Sequence, residues 1–306
     1  MNEIKIFCPA TIANLNCGFD ILGLCLEGIG DEMIIRKSTE KGVKITKIVG
    51  ANLPFETGKN VAGVAALALL ENFELDFGFE IEIYKNIKTG SGIGSSSASA
   101  AGAVYGINEL LGKPFSKVEL VNFAMKGEVV ASGSEHADNV AACLLGGFTL
   151  IRGYEPLDVI QIASPNELYA VVLHPHIEVK TSDARAVIQP TVSLKAAITQ
   201  TGNLGGFIAG LYTNDYDLIG RSLKDVLVEP FRKHLIPNFD EVKNAAINNG
   251  ALGAGISGAG PSIFALCKGK ESAEKVANAM KDSYQSTGIE FDIHVSKVNS
   301  KGTETI

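Results

Sequence analysis

The segment KTGSGIGSSSASAAGAVYG at residues 88–106 decides the fold. Glycines at alternate positions, Gly90, Gly92 and Gly94, run directly into Ser95, Ser96 and Ser97. An alanine-rich tract of helical character follows and ends near Gly112. Upstream, Phe79, Ile81, Ile83 and Ile87 share one parity, as in a half-buried strand. The order is therefore strand, glycine loop, helix N-terminus. Glycine lets the main chain take positive φ and lets a ligand approach it closely. The first amides of a helix lack internal partners and sit at the positive end of its dipole, so the arrangement suits an anion, phosphate above all.

Spacing excludes the commoner loops of this kind. A Walker loop needs G-x-x-x-x-G-K-[ST], and no lysine follows Gly94. A dinucleotide fingerprint needs G-x-G-x-x-G and an acid after the next strand; here the spacing is G-x-G-x-G and Glu109 falls on the helix itself. The nucleophile elbow G-x-S-x-G is absent. A glycine-rich turn that only packs a helix on a strand has the same composition, so the loop alone leaves its purpose open.

The length of 306 residues suits about two domains of roughly 150 residues each. Hydrophobic content of 46% with 20% charged residues is that of a soluble globular protein. A net charge of −7 without a block of Lys or Arg argues against nucleic-acid or membrane-surface binding. A polyanion such as ATP would have to be held by local amides and a metal. Five scattered cysteines without C-x-x-C spacing argue against a disulfide framework or zinc site and for a reducing compartment. The start, MNEIKIFCPATIANL, has no apolar signal-peptide core, and the apolar run 61–70 is too short to span a membrane. A cytoplasmic protein is expected.

Strands are expected near 4–8, 32–37, 43–49, 79–84 and 146–152, with helices over 60–73, from the glycine loop to about 112, and from Ser116 to about 131. Ser116 with Glu119 forms a capping-box pattern. The strip 153–167, with two prolines and few apolar residues, suits a boundary between domains 1–155 and 156–306. Beyond it, strands near 168–173, 251–256, 262–267 and 290–297 interleave with helices near 193–212, 217–227, 238–248 and 272–286. Setting aside the inserted helices, the order is βαββαβ, a ferredoxin-like layout.

Several side chains carry possible chemistry. Glu128 lies seven residues after Val121, four after Ala124 and three after Met125, on the apolar face of its helix. An inward carboxylate needs a partner, for which a metal is one candidate and a head group reaching out to water the other. Magnesium between phosphates would take such a carboxylate, a hydroxyl such as that of Ser96, and waters. The strip SEHADNV at 134–140 suggests a hydrolase with Ser96 as nucleophile, but a relay from His136 and Asp138 is geometrically poor, since residues two apart on a helix do not face each other. Arg185, Arg221 and Arg232 suit capture of a carboxylate or phosphate, or plain surface charge. The uncharged segment GALGAGISGAGPSIFAL at 250–266 is either a tight hairpin or backbone lying against the first glycine loop.

Three segments taken together, PATIANLNCGFDILGL (9–24), GSGIGSSSAS (90–99) and GAGISGAGPS (253–262), resemble the ordered motifs of the GHMP small-molecule kinases. Within that superfamily the strips ANLNCGFDILG (13–23), NVAG (60–63), GSEHADN (133–139), TSDAR (181–185) and EPFRKHLIPN (229–238) resemble the homoserine kinases. The resemblance implies an α+β, two-domain fold: an N-terminal domain like domain 2 of a ribosomal small-subunit protein and a ferredoxin-like C-terminal domain. It implies transfer of the ATP γ-phosphoryl group to the side-chain hydroxyl of L-homoserine, on the route to threonine, by a homodimer. By position, Gly90, Ser91, Gly92, Ile93, Gly94, Ser95, Ser96 and Ser97 would wrap the triphosphate, while Ser96 and Glu128 would hold Mg2+. Asn60 and Lys85 match positions near the nucleoside. Asn14 and Asp20 fall where the family meets substrate hydroxyl and amine, and Arg185 with Arg232 match its carboxylate-binding pair. His136, Asn139 and Thr181 complete the pocket wall.

The chain departs from the superfamily pattern in places. Lys88 stands for the usual Pro, Ile93 for Leu, Ser97 for Ala and Asn16 for Gly. Mevalonate-type relatives carry a catalytic Asp where this chain has Asn139 and a Lys where it has Thr11. An amide cannot take a proton, so catalysis here is expected to rest on alignment and charge neutralisation rather than a strong general base. Two alternatives stand beside this expectation: a GHMP kinase for another small alcohol such as mevalonate, and a silent nucleotide-binding regulator. Asp20 with twin arginines favours an amino acid over mevalonate, which has no amine.

Overall fold

The computed structural model describes residues 1–306, the side chain of Ser132 apart. Strand β1 (Glu3–Ala13) opens the chain with Ile4, Ile6 and Cys8 turned inward between outward Glu3 and Lys5. It pairs antiparallel with β2 (Leu22–Ser38), and β3 (Gly42–Val49) follows. Helix α1 (Val61–Leu70) leads to β4 (Gly78–Tyr84), which lies antiparallel to β2 and parallel to β3. Then come α2 (Ser95–Leu110), α3 (Lys117–Ser132) and α4 (Asp138–Leu145). The capping box at the start of α3 is formed as the spacing predicts, with Ser116 and Glu119 each meeting the other's backbone amide.

Strands β5 (Phe148–Tyr154) and β6 (Leu157–Ile162) form a hairpin, and β5 pairs with the first residues of β2. The strip 153–167 is therefore not simply a linker. Its residues Leu157 to Ile162 continue the first sheet beyond residue 155, so the chain leaves that sheet only after Ile162. Pro156 is the second residue of the hairpin's two-residue turn, where its missing N–H leaves no ladder position unfilled.

The second half holds β7 (Leu168–Pro175), α5 (Thr181–Ala186), α6 (Leu194–Thr213), α7 (Tyr216–Ser222), α8 (Glu229–Arg232) and α9 (Phe239–Asn248). Strands β8 (Gly253–Ile256) and β9 (Ile263–Lys268), helix α10 (Lys270–Gln285), β10 (Phe291–Lys297) and the short β11 (Glu304–Thr305) complete it. The helix expected over 217–227 stops at Ser222. Asp225 takes over there, accepting from the amides of Leu227 (2.8 Å), Val228 (2.9 Å) and Glu229 (2.9 Å), an alternative that a short acidic side chain offers the backbone in place of the helix. The segment so ordered starts α8, which with α5 lies outside the sequence-based expectation.

Sheet order is β11-β1-β2-β4-β3 with the β5–β6 hairpin on β2, and separately β10-β7-β9-β8. The second order, in which the two central strands are the first and third of the unit, is that of the expected ferredoxin-like layout. Two hydrophobic cores result, one under α1 to α4 and the other between α9, α10 and the outer face of the second sheet. All five cysteines are free and buried, and no described helix is long and apolar enough to cross a membrane.

The seating of α4 on β2 fixes where the polar first turn of that helix can stand. A Cβ at Gly23 would lie 2.0 Å from the Asp138 carbonyl oxygen, so only glycine lets the start of α4 reach the strand. Gly23→Ala gains about 0.4–1 kcal/mol from a stiffer unfolded chain. Overpacking against backbone that cannot rotate away costs about 1–3 kcal/mol, and this term wins. The urea midpoint of Gly23→Ala is expected to fall accordingly, and an unchanged midpoint would mean that α4 gives way freely.

Candidate active site

The glycine loop is fastened at both ends by one buried ion pair, Asp31 with Lys85. Asp31 on β2 is fully buried, and its Oδ1 accepts from the amides of Asn86 and Ile87, each at 2.8 Å. Its Oδ2 pairs with the Lys85 ammonium, which also donates to the Ser95 carbonyl (2.7 Å) and to Ser99 Oγ (3.1 Å). Ser95 Oγ donates in turn to the Ile87 carbonyl at 2.9 Å. Strand end and helix start are thus tied together and residues 88–94 must arch between them.

The arch turns its carbonyls toward the protein. The Ile93 carbonyl accepts from the Thr11 amide (3.1 Å), the Gly92 carbonyl from Ser257 Oγ (2.7 Å), and the Ser91 carbonyl from Ser262 Oγ (2.6 Å). Among the described residues nothing accepts from the amides of Gly92 through Ser97, which open the helix. Gly92 and Gly94 have φ of 80° and 75°, and a Cβ would meet the Gly260 carbonyl at 2.5 Å and Thr11 Oγ1 at 2.1 Å respectively. The second glycine-rich segment therefore does lie against the first.

In front of the loop lies a cleft of about 720 Å³. Asn14, Asp20, Asn60, Lys85, Gly90, Ser91, Gly92, Gly94, Ser95, Ser96, Glu128, His136, Asn139, Thr181, Arg185 and Arg232 border it, whereas Arg221 does not. Ile93 and Ser97 are buried and do not line the cleft, so the expected wrap borders it through Gly90, Ser91, Gly92, Gly94, Ser95 and Ser96. Lys85 reaches the cleft wall, but its ammonium is engaged by Asp31. Asn60 stands there as the N-cap of α1, accepting from the amides of Ala62 (3.0 Å) and Gly63 (3.4 Å). Ser96 Oγ donates to Glu128 Oε2 at 3.1 Å. Glu128 is 6% exposed, and burial pushes its carboxyl up to about 7 against the opposing effect of the Ser96 bond. Asp138, at the first turn of α4, is likewise buried and pushed to about 7, first by desolvation and then by Asp20. Beside it, Asn139 Oδ1 accepts from Thr11 Oγ1 at 2.6 Å.

The far end of the cleft is built around a single ring. The guanidinium groups of Arg185 and Arg232 lie over Phe19, 5.4 and 5.1 Å from its centroid. Arg185 Nη2 meets both oxygens of Asp20 (2.9 and 3.0 Å), and its buried Nε has no partner among the described residues. Arg232 is anchored to the carbonyls of Ala184 (2.8 Å) and Gly258 (3.0 Å); burial, then its like-charged neighbour, lower it to about 10. Arg185 Nη2 also lies 3.1 Å from His136 Nε2. A guanidinium only donates, so Nε2 is the unprotonated nitrogen, and desolvation lowers the imidazole's pKa in keeping with a neutral ring. Asn14 is held between the Gly258 carbonyl (2.9 Å) and the Asp20 amide (2.9 Å). Two cations against one carboxylate leave this end ready for an anion, with an acid alongside it.

This architecture has known relatives. The model of the GHMP kinases N terminal domain matches residues 60–147, and that of the GHMP kinases C terminal domain matches residues 207–286. The chain is 47% identical to a homoserine kinase of Chlorobium phaeobacteroides (strain BS1) over the full length of both. It is 42% identical to a homoserine kinase of Methanococcus vannielii, covering 93% of this chain and 94% of that one. The chain belongs to the homoserine kinase family. The crystal structure of homoserine kinase from Cytophaga hutchinsonii has a TM-score of 0.97 and 49% identity, covering 100% of this chain and 98% of that one. A mevalonate kinase of L. major in complex with R-mevalonate has a TM-score of 0.73 at 16% identity over 96% of both chains, a likeness of fold alone. The α+β two-domain GHMP fold expected of the family is the one observed.

Sequence reasoning missed two acids. Asp31 shares the buried parity of Met33 and Ile35 on β2, and that parity is the available signal. Asp138 stands beside Asn139 in the SEHADNV strip, where the sequence presents it only as half of a poor relay. Burial of Glu128 also bears on stability. Its folded pKa, about 7, lies above its ordinary 4.5, so the native state binds the extra proton and stability falls as pH rises between those values. Glu128→Gln is therefore expected to unfold like the parent near pH 4 but to be more stable at pH 8, by on the order of 3 kcal/mol in metal-free urea titrations. Equal stability at pH 8 would show that water reaches the carboxylate.

Proposed function

We propose that this chain transfers the γ-phosphoryl group of ATP to the side-chain hydroxyl of L-homoserine, giving O-phosphohomoserine and ADP on the route to threonine. The observation that carries the reading is one cleft with unpartnered loop amides at one end and the Asp20–Arg185–Arg232 cluster at the other. The amides of Gly92, Gly94, Ser95 and Ser96 bind the phosphates. At the other end the Asp20–Arg185 pair is exchanged for the substrate: homoserine's ammonium takes Asp20, and its carboxylate takes Arg185 and Arg232. Mevalonate has no ammonium and would leave Asp20 uncompensated. His136 and Thr181 wall the pocket, and Asn14 faces the acceptor hydroxyl. A homodimer in the cytoplasm belongs to the same reading.

Ser96 and Glu128 fit Mg2+: two oxygen donors 3.1 Å apart, one of them a buried carboxyl that a nearby cation would return to its ionised form. Bound there, the ion neutralises charge on the transferred group. Asn139, accepting from Thr11 through Oδ1, presents its Nδ2 as a donor, so it orients and does not take a proton. Alignment of acceptor and phosphate supplies the rate.

ADP release measured with homoserine, with mevalonate and with neither tests the assignment. Release that depends on homoserine supports it, whereas release with mevalonate alone, or none with either, overturns it. In the same assay, Arg232→Lys loses the bidentate fork and should raise the homoserine KM more than the ATP KM; equal rises would misplace that arginine. Glu128→Ala should lose on the order of 10²-fold or more in kcat, while Asn139→Ala retains far more activity. Equal collapse of both would count against catalysis by positioning.

A further inference from the structure

Three of the chain's five histidines gather away from the catalytic end of the cleft, on the face of the second sheet turned toward the first domain. His174 and Asp292 are directly opposed on β7 and β10, and His294 lies two residues along β10 on the same face. His176 follows β7, its amide bonded to the Glu290 carbonyl at 2.7 Å. His176 Nε2 and His174 Nδ1 lie 2.8 and 3.8 Å from Asp292 Oδ2, and the three ligand atoms fall within 4.8 Å of one another. A cation already sits among them. Lys88 Nζ is 2.6 Å from His176 Nε2 and 3.3 Å from Asp292 Oδ2.

We propose that His174, His176 and Asp292 form a binding site for a zinc-class divalent ion, which competes with the Lys88 ammonium for the same place. Two imidazoles and a carboxylate are borderline donors that suit zinc and its neighbours, whereas magnesium takes oxygen ligands. Tetrahedral zinc with bonds of about 2.0–2.1 Å places its donors roughly 3.3–3.5 Å apart, between the spacings observed here. With Lys88 donating, His176 Nε2 carries its lone pair toward the shared point, and Nδ1 stands 3.5 Å from Glu290 Oε2. A carboxylate behind a ligating imidazole is the usual means of fixing its orientation. His174 is 4% exposed and burial lowers it to about 4, so its ring is neutral at physiological pH. Asp292, with 43% of its side chain exposed, leaves a way in from solvent.

The site is coupled to the glycine loop through Lys88, which stands where the superfamily usually has proline. Lys88 is two residues before Gly90, and a Cβ on Gly90 would lie 3.2 Å from Glu178 Cγ, just beyond His176. Binding of the ion therefore releases the loop's stem from β10.

Titration of the whole protein with Co2+ tests this, in excess Mg2+ and without nucleotide, followed by visible absorption and by displacement with Zn2+. One equivalent is expected. His176→Gln should weaken binding by on the order of 10–100-fold. Lys88→Met should tighten it by roughly tenfold, because the competing ammonium is gone. Circular dichroism establishes that each variant is folded, and neither residue belongs to the catalytic cluster. Unchanged affinity in either variant, weaker binding by Lys88→Met, or absorption of a cysteine-ligated ion would overturn the proposal.

Discussion

Asp31 is the constraint on which the functional end of the molecule depends. A carboxylate with no exposure to water is costly unless it is paired and hydrogen-bonded, and here both oxygens are engaged by residues 85–87, the stem that enters the loop. Its partner Lys85 carries the same restraint across to the first turn of α2. The pair thus sets a fixed span for residues 88–94. Glycine at three positions lets the main chain cover that span with its amides outward.

The chemistry of the loop is set by which of its backbone groups the protein leaves unused. Thr11 comes from the first strand, while Ser257 and Ser262 come from the second domain's hairpin. Together they consume the carbonyls that would repel a phosphate and leave the donors that attract one. The same hairpin supplies the Gly258 carbonyl to Asn14 and Arg232. One short turn therefore sets the distance between the anion end of the cleft and the charged cluster.

Much of this is legible in the chain itself, because local rules and global structure agree where the sequence is most regular. The parity of Phe79 to Ile87, the glycine spacing, the Ser116–Glu119 pair and the apolar face shared by Glu128 each lead to the element observed. The features that escape depend on hydrogen bonds that compete locally with a periodic pattern, or on contacts made at long range. Asp225 ends a helical pattern by capturing amides further on, and β6 forms only because β5 offers it an edge. The engagement of Lys85 by Asp31 spans 54 residues and no periodicity announces it. In residue type alone Arg185 and Arg232 do not differ from Arg221, and Phe19 lies beneath the first two alone.

The bonds from Ser257 and Ser262 to the loop bear on how the protein comes into being. While the chain emerges from the ribosome, residues 88–97 can reach their helix and strand long before residue 257 is made. During that interval the loop's carbonyls have no hydroxyls to meet. The finished form of the loop, with its carbonyls turned to the second hairpin, is thus acquired late in biosynthesis.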